Sequence, residues 1–397
     1  MSGALNNIYN NVSFALYQHA EAMTRLQEQA STGSRVNRAS DDPSAAYQIL
    51  GFNSQDRSLE NYINSLSNVN STLELSSTVL ENMVSALTET KLRATQLSSG
   101  IYNEQTRKST AAGINDILEQ MVSLANTKYT GQYLFGGGDT TSQPYVVERT
   151  DGKITRVTYQ GSLDNRDAEV APGVQSSPFY IGDNIFHSDS RTAPVFLGST
   201  GAKAGTGTSN VNGSAWLTVT YNESTSQYEI SIDDGATKVA VPVGGDTNQA
   251  VADSRTGQIL YVDTTEIKST GVELVRVPGT YDVFSTLITI RDILENQNGL
   301  SEAQLQECMN SSLSSLEEVN SLLLQTQVSV GSKLGFLGNL KDSLNNLKYN
   351  VEDETTRLQE ADIAQISIDL SQRQVLYQMS LSVAAKIMSM SLLDFIK

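Results

Sequence analysis

Leu59, Leu66, Leu73, Leu80, Leu87 and Ala94 recur every seven residues, with Ile63 and Val84 at the intervening four-residue step. That spacing draws one apolar seam along a helix. Leu316, Leu323, Val330, Leu337, Leu344 and Val351 repeat the device far later in the chain. A seam of this kind needs a partner, and two of similar length predict one bundle in which each covers the other. Burying each Leu or Val contributes roughly 1.5–3 kcal/mol. Asp42 is placed to cap a first turn and Pro43 to occupy the first helical position, where its missing N–H costs nothing. No proline follows until Pro144. A helix from Pro43 to Ser99 spans roughly 80–90 Å at 1.5 Å per residue, so the chain is expected to build a rod. Gly331, Gly335 and Gly338 interrupt the second seam and cost about 1 kcal/mol each in an isolated helix. They predict a bend or a close backbone approach.

Charge narrows the function classes. The formal net charge is −17 and the isoelectric point about 4.6. Nucleic acid and anionic membranes need clustered Lys and Arg, so neither is expected as a partner. Cys308 is the single cysteine, which excludes an internal disulfide framework and a thiolate metal cluster. Its helical context predicts a small buried residue. The first ten residues hold no basic segment followed by an apolar run, and no later run of about 18 apolar residues exists. A chain leaving the cell is therefore expected to use a route other than a cleaved signal peptide.

Catalytic chemistry finds no constellation. His19 and His187 are the two histidines, one on a predicted helix and one in a loop. Glu317-Glu318 and Asp353-Glu354 are sequence neighbours on helices, hence on different faces, and read as solvated charge. No Gly-x-Ser-x-Gly elbow is present. Gly136-Gly137-Gly138 lacks the Lys-Ser/Thr and the helix that a phosphate loop needs, and Asp233-Asp234-Gly235 lacks the further ligands of a calcium loop. The expectation is no enzyme, no metal and no cofactor.

The chain ends carry a different pattern. Leu5, Ile8, Val12, Leu16, Ala20, Met23, Leu26 and Ala30 fall at three- and four-residue steps and predict an amphipathic helix ending near Gly33. Asn6, Asn7, Asn10 and Asn11 are poor helix formers, so the first ten or so residues order only against a partner. Ile363, Ile366, Leu370, Tyr377, Leu381, Ala384 and Met388 draw a matching stripe, followed by Leu392 and Leu393. The two stripes are expected to pair as a coiled coil on assembly and to be disordered in the free subunit.

Between the ladders, Gly100-Ile101-Tyr102-Asn103 breaks the first helix, and Ala111, Ile114, Leu118, Met121 and Ala125 predict a shorter antiparallel one ending at Tyr129-Thr130-Gly131. From Pro144 to Pro278 the period becomes two. Hairpins are expected over Tyr145 to Tyr159 about Asp151-Gly152, and over Trp216 to Val243 about polar turns that include Asp234-Gly235; Gly161 to Ser214 reads as long loops with short strands. Helix returns at Tyr281, stops at Asn298-Gly299 and reopens at Ser301-Glu302. The fold class is α+β, a long antiparallel helical bundle with an inserted antiparallel β domain. Its expected segments are 1–42, 43–143, 144–278, 279–350 and 351–397.

The stretch Leu26 to Ala46, containing Thr32-Gly33-Ser34-Arg35-Val36-Asn37-Arg38-Ala39-Ser40-Asp41-Asp42-Pro43, resembles the N-terminal signature of the flagellin superfamily. Ser40-Asp41-Asp42-Pro43 is similar to its hook-associated protein 3 branch, where flagellins more often carry Lys-Asp-Asp-Ala. Tyr133-Leu134-Phe135-Gly136-Gly137 before Pro144-Tyr145, and the closing Ser391-Leu392-Leu393-Asp394-Phe395-Ile396, resemble the same branch. The resemblance covers Leu5 to Pro144 and Tyr281 to Lys397. It implies a structural subunit at the hook-filament junction, exported as a largely unfolded chain and shielded by an export chaperone. Its neighbours would be another hook-associated protein below, flagellin above and further copies of itself in a ring or helical layer. Assembly contacts are then expected at Leu5, Ile8, Val12, Leu16, Met23, Leu26, Arg35, Asn37, Asp41, Asp42, Ile363, Ile366, Leu370, Tyr377, Leu381, Met388, Leu392 and Leu393. Asp41 and Asp42 read at least as readily as a purely structural helix cap as they do as partner contacts. Flagellin itself, and a coiled-coil surface adhesin with a ligand-binding insert, are the competing readings.

Overall fold

The structure, a computed structural model, describes residues 2–98 and 103–395, apart from the side chains of 2–6, 9, 98, 387 and 389–395. Three helices come first, α1 (Ser2–Thr32), α2 (Pro43–Ser98) and α3 (Glu104–Ala125). Three small hairpins follow, β1 (Lys128–Tyr129) with β2 (Gln132–Tyr133), β3 (Tyr145–Thr150) with β4 (Lys153–Tyr159), and β5 (Ala168–Ala171) with β6 (Val174–Ser176). After the short α4 (Gly182–Phe186) come β7 (Val195–Leu197), β8 (Lys203–Ala204), β9 (Gly213–Asn222), β10 (Gln227–Ser231) and β11 (Val239–Ala240). The last elements are β12 (Gln249–Ala252), β13 (Ile259–Asp263), β14 (Gly271–Val277), α5 (Val283–Glu295), α6 (Glu302–Gln359) and α7 (Ile363–Phe395). Two compact units result, one of residues 1–64 with 340–397 and one of residues 65–339.

Both ladders are buried. Leu59, Leu66, Leu73, Leu80, Leu87 and Ala94 on α2, and Leu316, Leu323, Val330, Leu337, Leu344 and Val351 on α6, are all covered. The intervening row on α2 differs from the sequence expectation. Ile63 and Val84 are half-buried, and the covered row is Val69, Ser76, Met83 and Thr90, again at seven-residue spacing. Its two polar members escaped a purely apolar pattern. Each satisfies its hydroxyl within the helix, Ser76 Oγ donating to Thr72 O at 2.9 Å and Thr90 Oγ1 to Ala86 O at 3.1 Å, so burial leaves no orphan group. Gly331, Gly335 and Gly338 sit in an unbroken α6, and an added Cβ at each meets nothing within 4 Å. Among the described residues no backbone approaches these glycines closely.

The helix expected to run to Tyr129 stops at Ala125. Asn126 leaves it to clasp Tyr145, its Nδ2 donating to Tyr145 O at 2.9 Å while Tyr145 N donates to Asn126 Oδ1 at 3.0 Å. Thr130 and Gly131, at φ 47° and 82°, then turn the β1–β2 hairpin as Asp151 and Gly152, at 50° and 79°, turn β3–β4.

The β region is two structures. Hairpin β3–β4 and α4 belong to the helical core, where the rings of Tyr145, Phe186 and Phe284 pack with centroids 5.0–5.9 Å apart and Phe135 closes the cluster against Phe186 at 5.2 Å. Buried Arg291 on α5 donates to Ile154 O at 2.6 Å. The boundary expected at Pro144 therefore lies inside packed structure. What stands on its own core is a sandwich. A five-stranded antiparallel sheet, β11-β10-β9-β14-β7, faces a three-stranded one, β12-β13-β8, over Leu217, Val219, Ile230, Val251, Leu260, Val262, Val275 and Val277. The chain enters and leaves through a paired neck, with Ser188 N donating to Tyr281 O at 2.9 Å and Thr192 N to Pro278 O at 2.9 Å. Replacing residues 194–277 by a short Gly-Ser linker is expected to preserve helical circular dichroism and a cooperative melt, whereas replacing residues 144–278 lowers the melting temperature by removing Tyr145 and Phe186 from the aromatic cluster. Equal melts would refute the division.

The expected boundary at residue 351 also moves. α6 runs on to Gln359, and Asp362 opens α7 by accepting from Gln365 N at 3.0 Å.

Candidate assembly site

In the first unit the chain ends meet. α1 and α7 run antiparallel, since residues 8–15 face residues 376–383 and His19 Nδ1 lies 3.4 Å from Arg373 Nη1. The first residues, poor helix formers alone, are helical from Ser2 with α7 alongside α1. Val12, Leu16, Met23 and Leu26 on α1 and Leu370, Tyr377 and Ala384 on α7 are half-buried, and Ile366 is buried. Ile8, Ile363, Leu381 and Met388 are exposed, beyond the width that one partner helix covers. The side chains of Leu5, Leu392 and Leu393 lie outside the described residues.

A second apolar set was not singled out from the sequence. Phe14 and Tyr17 on α1, and Ile368, Val375, Leu376, Met379 and Val383 on α7, are exposed, with Phe14 62% and Met379 60% accessible. Ile8, Val12, Ala15, Leu376, Met379 and Val383 line a groove of about 320 Å³. The signal was present in the i, i+3 pair Phe14 and Tyr17, but a single-stripe template assigns such residues to solvent.

The loop between α1 and α2 is a strap. Gly33, at φ 69°, ends α1, and the chain then pairs with the α6–α7 connection, Arg35 N donating to Gln359 O at 2.7 Å and Ala361 N to Gly33 O at 3.0 Å. Arg35 Nη2 reaches Leu358 O at 3.1 Å, which sets a cation on the final carbonyls of α6 where the helix dipole is negative. Its Nη1 pairs with Asp42 Oδ2 at 3.3 Å, and Asp42 Oδ1 caps α2 by accepting from Ala45 N at 3.0 Å. Asp41 Oδ2 accepts from Asn37 N and Arg38 N, folding the turn, and buried Gln29 donates to Arg35 O at 2.7 Å. Sequence reasoning found the cap and the loop cations; it missed Gln29 and the carbonyls of 358–359, since backbone acceptors have no side-chain signature.

The Ala45 amide and the Arg35 guanidinium hold Asp42 below the usual carboxylate range. A depressed folded pKa gives stabilisation that is complete above the unfolded value and is lost as pH falls through the folded one. Asp42→Asn keeps a cap acceptor without the charge. The stability gap between wild type and Asp42→Asn, read by thermal melts, is expected to be present at pH 7 and to close below about pH 4. A constant gap would refute the assignment.

Among the described residues no group of three or more His, Cys, Asp and Glu could hold a metal ion, and no helix is long and apolar enough to cross a membrane. Residues 4–140 match the bacterial flagellin N-terminal helical region. The flagellar hook-associated protein 3 of Escherichia coli K12 is 29% identical over 162 residues, 41% of this chain and 49% of that one. Its Salmonella typhimurium counterpart is 30% identical over 136 residues, 34% of this chain and 43% of that one. The chain thus spans less than half the length of each of these relatives. The crystal structure of flagellar hook associated protein-3 from Legionella pneumophila shares the fold, with a TM-score of 0.53 at 18% identity over 78% of this chain and 98% of that one. By sequence, the likeness to the helical N-terminal region of bacterial flagellins extends over residues 4–140. The curated relatives it resembles include hook-associated protein 3, and the likeness to the Legionella pneumophila structure is one of fold.

Proposed function

We propose that this chain is a structural, non-enzymatic subunit of the bacterial flagellum that joins the hook to the filament. In this reading it sits above another hook-associated protein and below flagellin, associates with further copies of itself, and travels the flagellar export channel with a chaperone shielding its C-terminal stripe. The observation that supports it is the exposed apolar surface on both chain ends, Phe14 and Tyr17 on α1 and Val375, Met379 and Val383 on α7, around a pair that is itself only half-buried. Exposed apolar surface on paired helices suits subunits that finish burying their ends against neighbours. The helical seams carry load between two polymers, and the apolar faces that α1 and α7 leave exposed become covered as neighbours arrive.

Immunolabelling of isolated flagella tests the position. One band at the distal end of the hook is expected. Label along the whole filament would assign the chain to flagellin, and label on the cell surface away from flagella to an adhesin.

A further inference from the structure

Three polar groups, from β14, the β14–α5 connection and α6, converge where the sandwich meets α6. Arg276 on β14 points from the sheet face opposite Val275 and Val277 and is 93% buried, from its 7% accessibility. Its Nη1 donates to Ser311 Oγ and its Nη2 to Ser315 Oγ at 2.6 Å, on successive turns of α6. The guanidinium lies 5.2 Å from the ring centroid of Tyr281, which is 1% accessible. One turn further along α6, Glu318 Oε2 accepts from Gly279 N at 3.3 Å. Tyr281 and Glu318 act on the Arg276 guanidinium, and Arg276 and Glu318 on the Tyr281 phenol, as groups in one small volume do, and burial pushes the Tyr281 phenol up so that it keeps its proton.

By hydrogen-bond geometry each of the three retains one buried atom without a partner among the described residues, Arg276 Nε, Tyr281 Oη and Glu318 Oε1, with Oη close enough to the Ser315 hydroxyl and the Arg276 guanidinium for both to favour its charged form. The set is complementary. Nε can only donate, the carboxylate oxygen can only accept, and the phenol does either. A cation, an anion and a neutral group together leave no net charge, so the set suits a small neutral dipole and not an ion. Leaving three such atoms unsatisfied is costly, and buried water characteristically makes about three hydrogen bonds.

We propose that Arg276 Nε, Tyr281 Oη and Glu318 Oε1 bind a single internal water, and that this hydrated cluster pins the sandwich to α6. The water accepts from Nε, donates to Oε1 and exchanges its third bond with Oη. Ser311 and Ser315 hold the guanidinium in place, and Glu318 fixes the neck through Gly279 with its other oxygen.

A crystal structure of the full chain, at a resolution that shows ordered water, is expected to place one water within about 2.7–3.2 Å of all three atoms. A direct bond from Tyr281 Oη to Glu318, or no water at the cluster, overturns the proposal. Amide exchange read by mass spectrometry is a second measure. Tyr281→Phe keeps the ring over Arg276 and removes one partner of the water; it is expected to speed exchange at Gly279 about tenfold or more while Leu217 to Val219 in the sandwich core stay protected. Unchanged exchange at Gly279 overturns the proposal.

Discussion

Leu73→Ala lowers the free energy of unfolding by about 2–5 kcal/mol, read by denaturant unfolding followed in the far ultraviolet. Leu73 is fully buried in the middle of the α2 ladder, with fully buried Leu66 and Leu80 one heptad away on either side and fully buried Ser76 beside it. Truncation there removes the transfer free energy of the lost carbons and leaves a void that a stiff heptad row cannot close. Val84→Ala is the internal comparison. Val84 was expected in the seam but is only half-buried, so the same kind of truncation costs about 1 kcal/mol or less. Equal losses at the two positions would mean that the covered row is the one read from the sequence; a change under about 0.5 kcal/mol at Leu73 would place the ladder in solvent.

That contrast marks how far the sequence carries. Leucine at seven-residue spacing declares a buried row because its transfer free energy has one sign wherever it lies. Ser76 and Thr90 do not, because their burial depends on a hydroxyl finding the carbonyl four residues back, a bond that exists only once the helix does. Asp42, Pro43 and Gly33 were legible for a related reason: capping and left-handed stops are local. The strap itself was not, because Arg35 closes on Leu358 and Gln359, more than three hundred residues away in sequence, through atoms common to every residue. The sandwich shows the same divide. Its hairpin β9–β10 followed from alternation, whereas β14 between β9 and β7, and the assignment of Tyr145 and Phe186 to the helical core, depend on long-range packing.

Met379→Glu with Val383→Glu is expected to leave the isolated subunit's melt within about 0.5 kcal/mol of wild type, yet to abolish incorporation into flagella. Both residues line the α1–α7 groove and remain about half exposed in the subunit, at 60% and 48% accessibility, so the fold loses little when they become polar. Under the proposed function a neighbouring subunit covers them. Each buried apolar side chain then contributes roughly 1.5–3 kcal/mol, and each substitution replaces that gain by the desolvation of an unpaired carboxylate. With 1.4 kcal/mol per tenfold, two such changes weaken association by more than about a hundredfold. The chain's formal charge of −17 deepens the effect, since copies of an acidic subunit already repel and added carboxylates at the contact oppose docking further. Ile366→Glu separates assembly from folding. Ile366 is buried within the first unit, so its replacement destabilises the subunit itself and lowers the melt. Complementation of a strain lacking the protein, scored by swimming and by immunolabelling, reads both. A Met379→Glu, Val383→Glu subunit that still forms the junction would show that this groove faces solvent in the assembled flagellum and that the neighbours meet elsewhere.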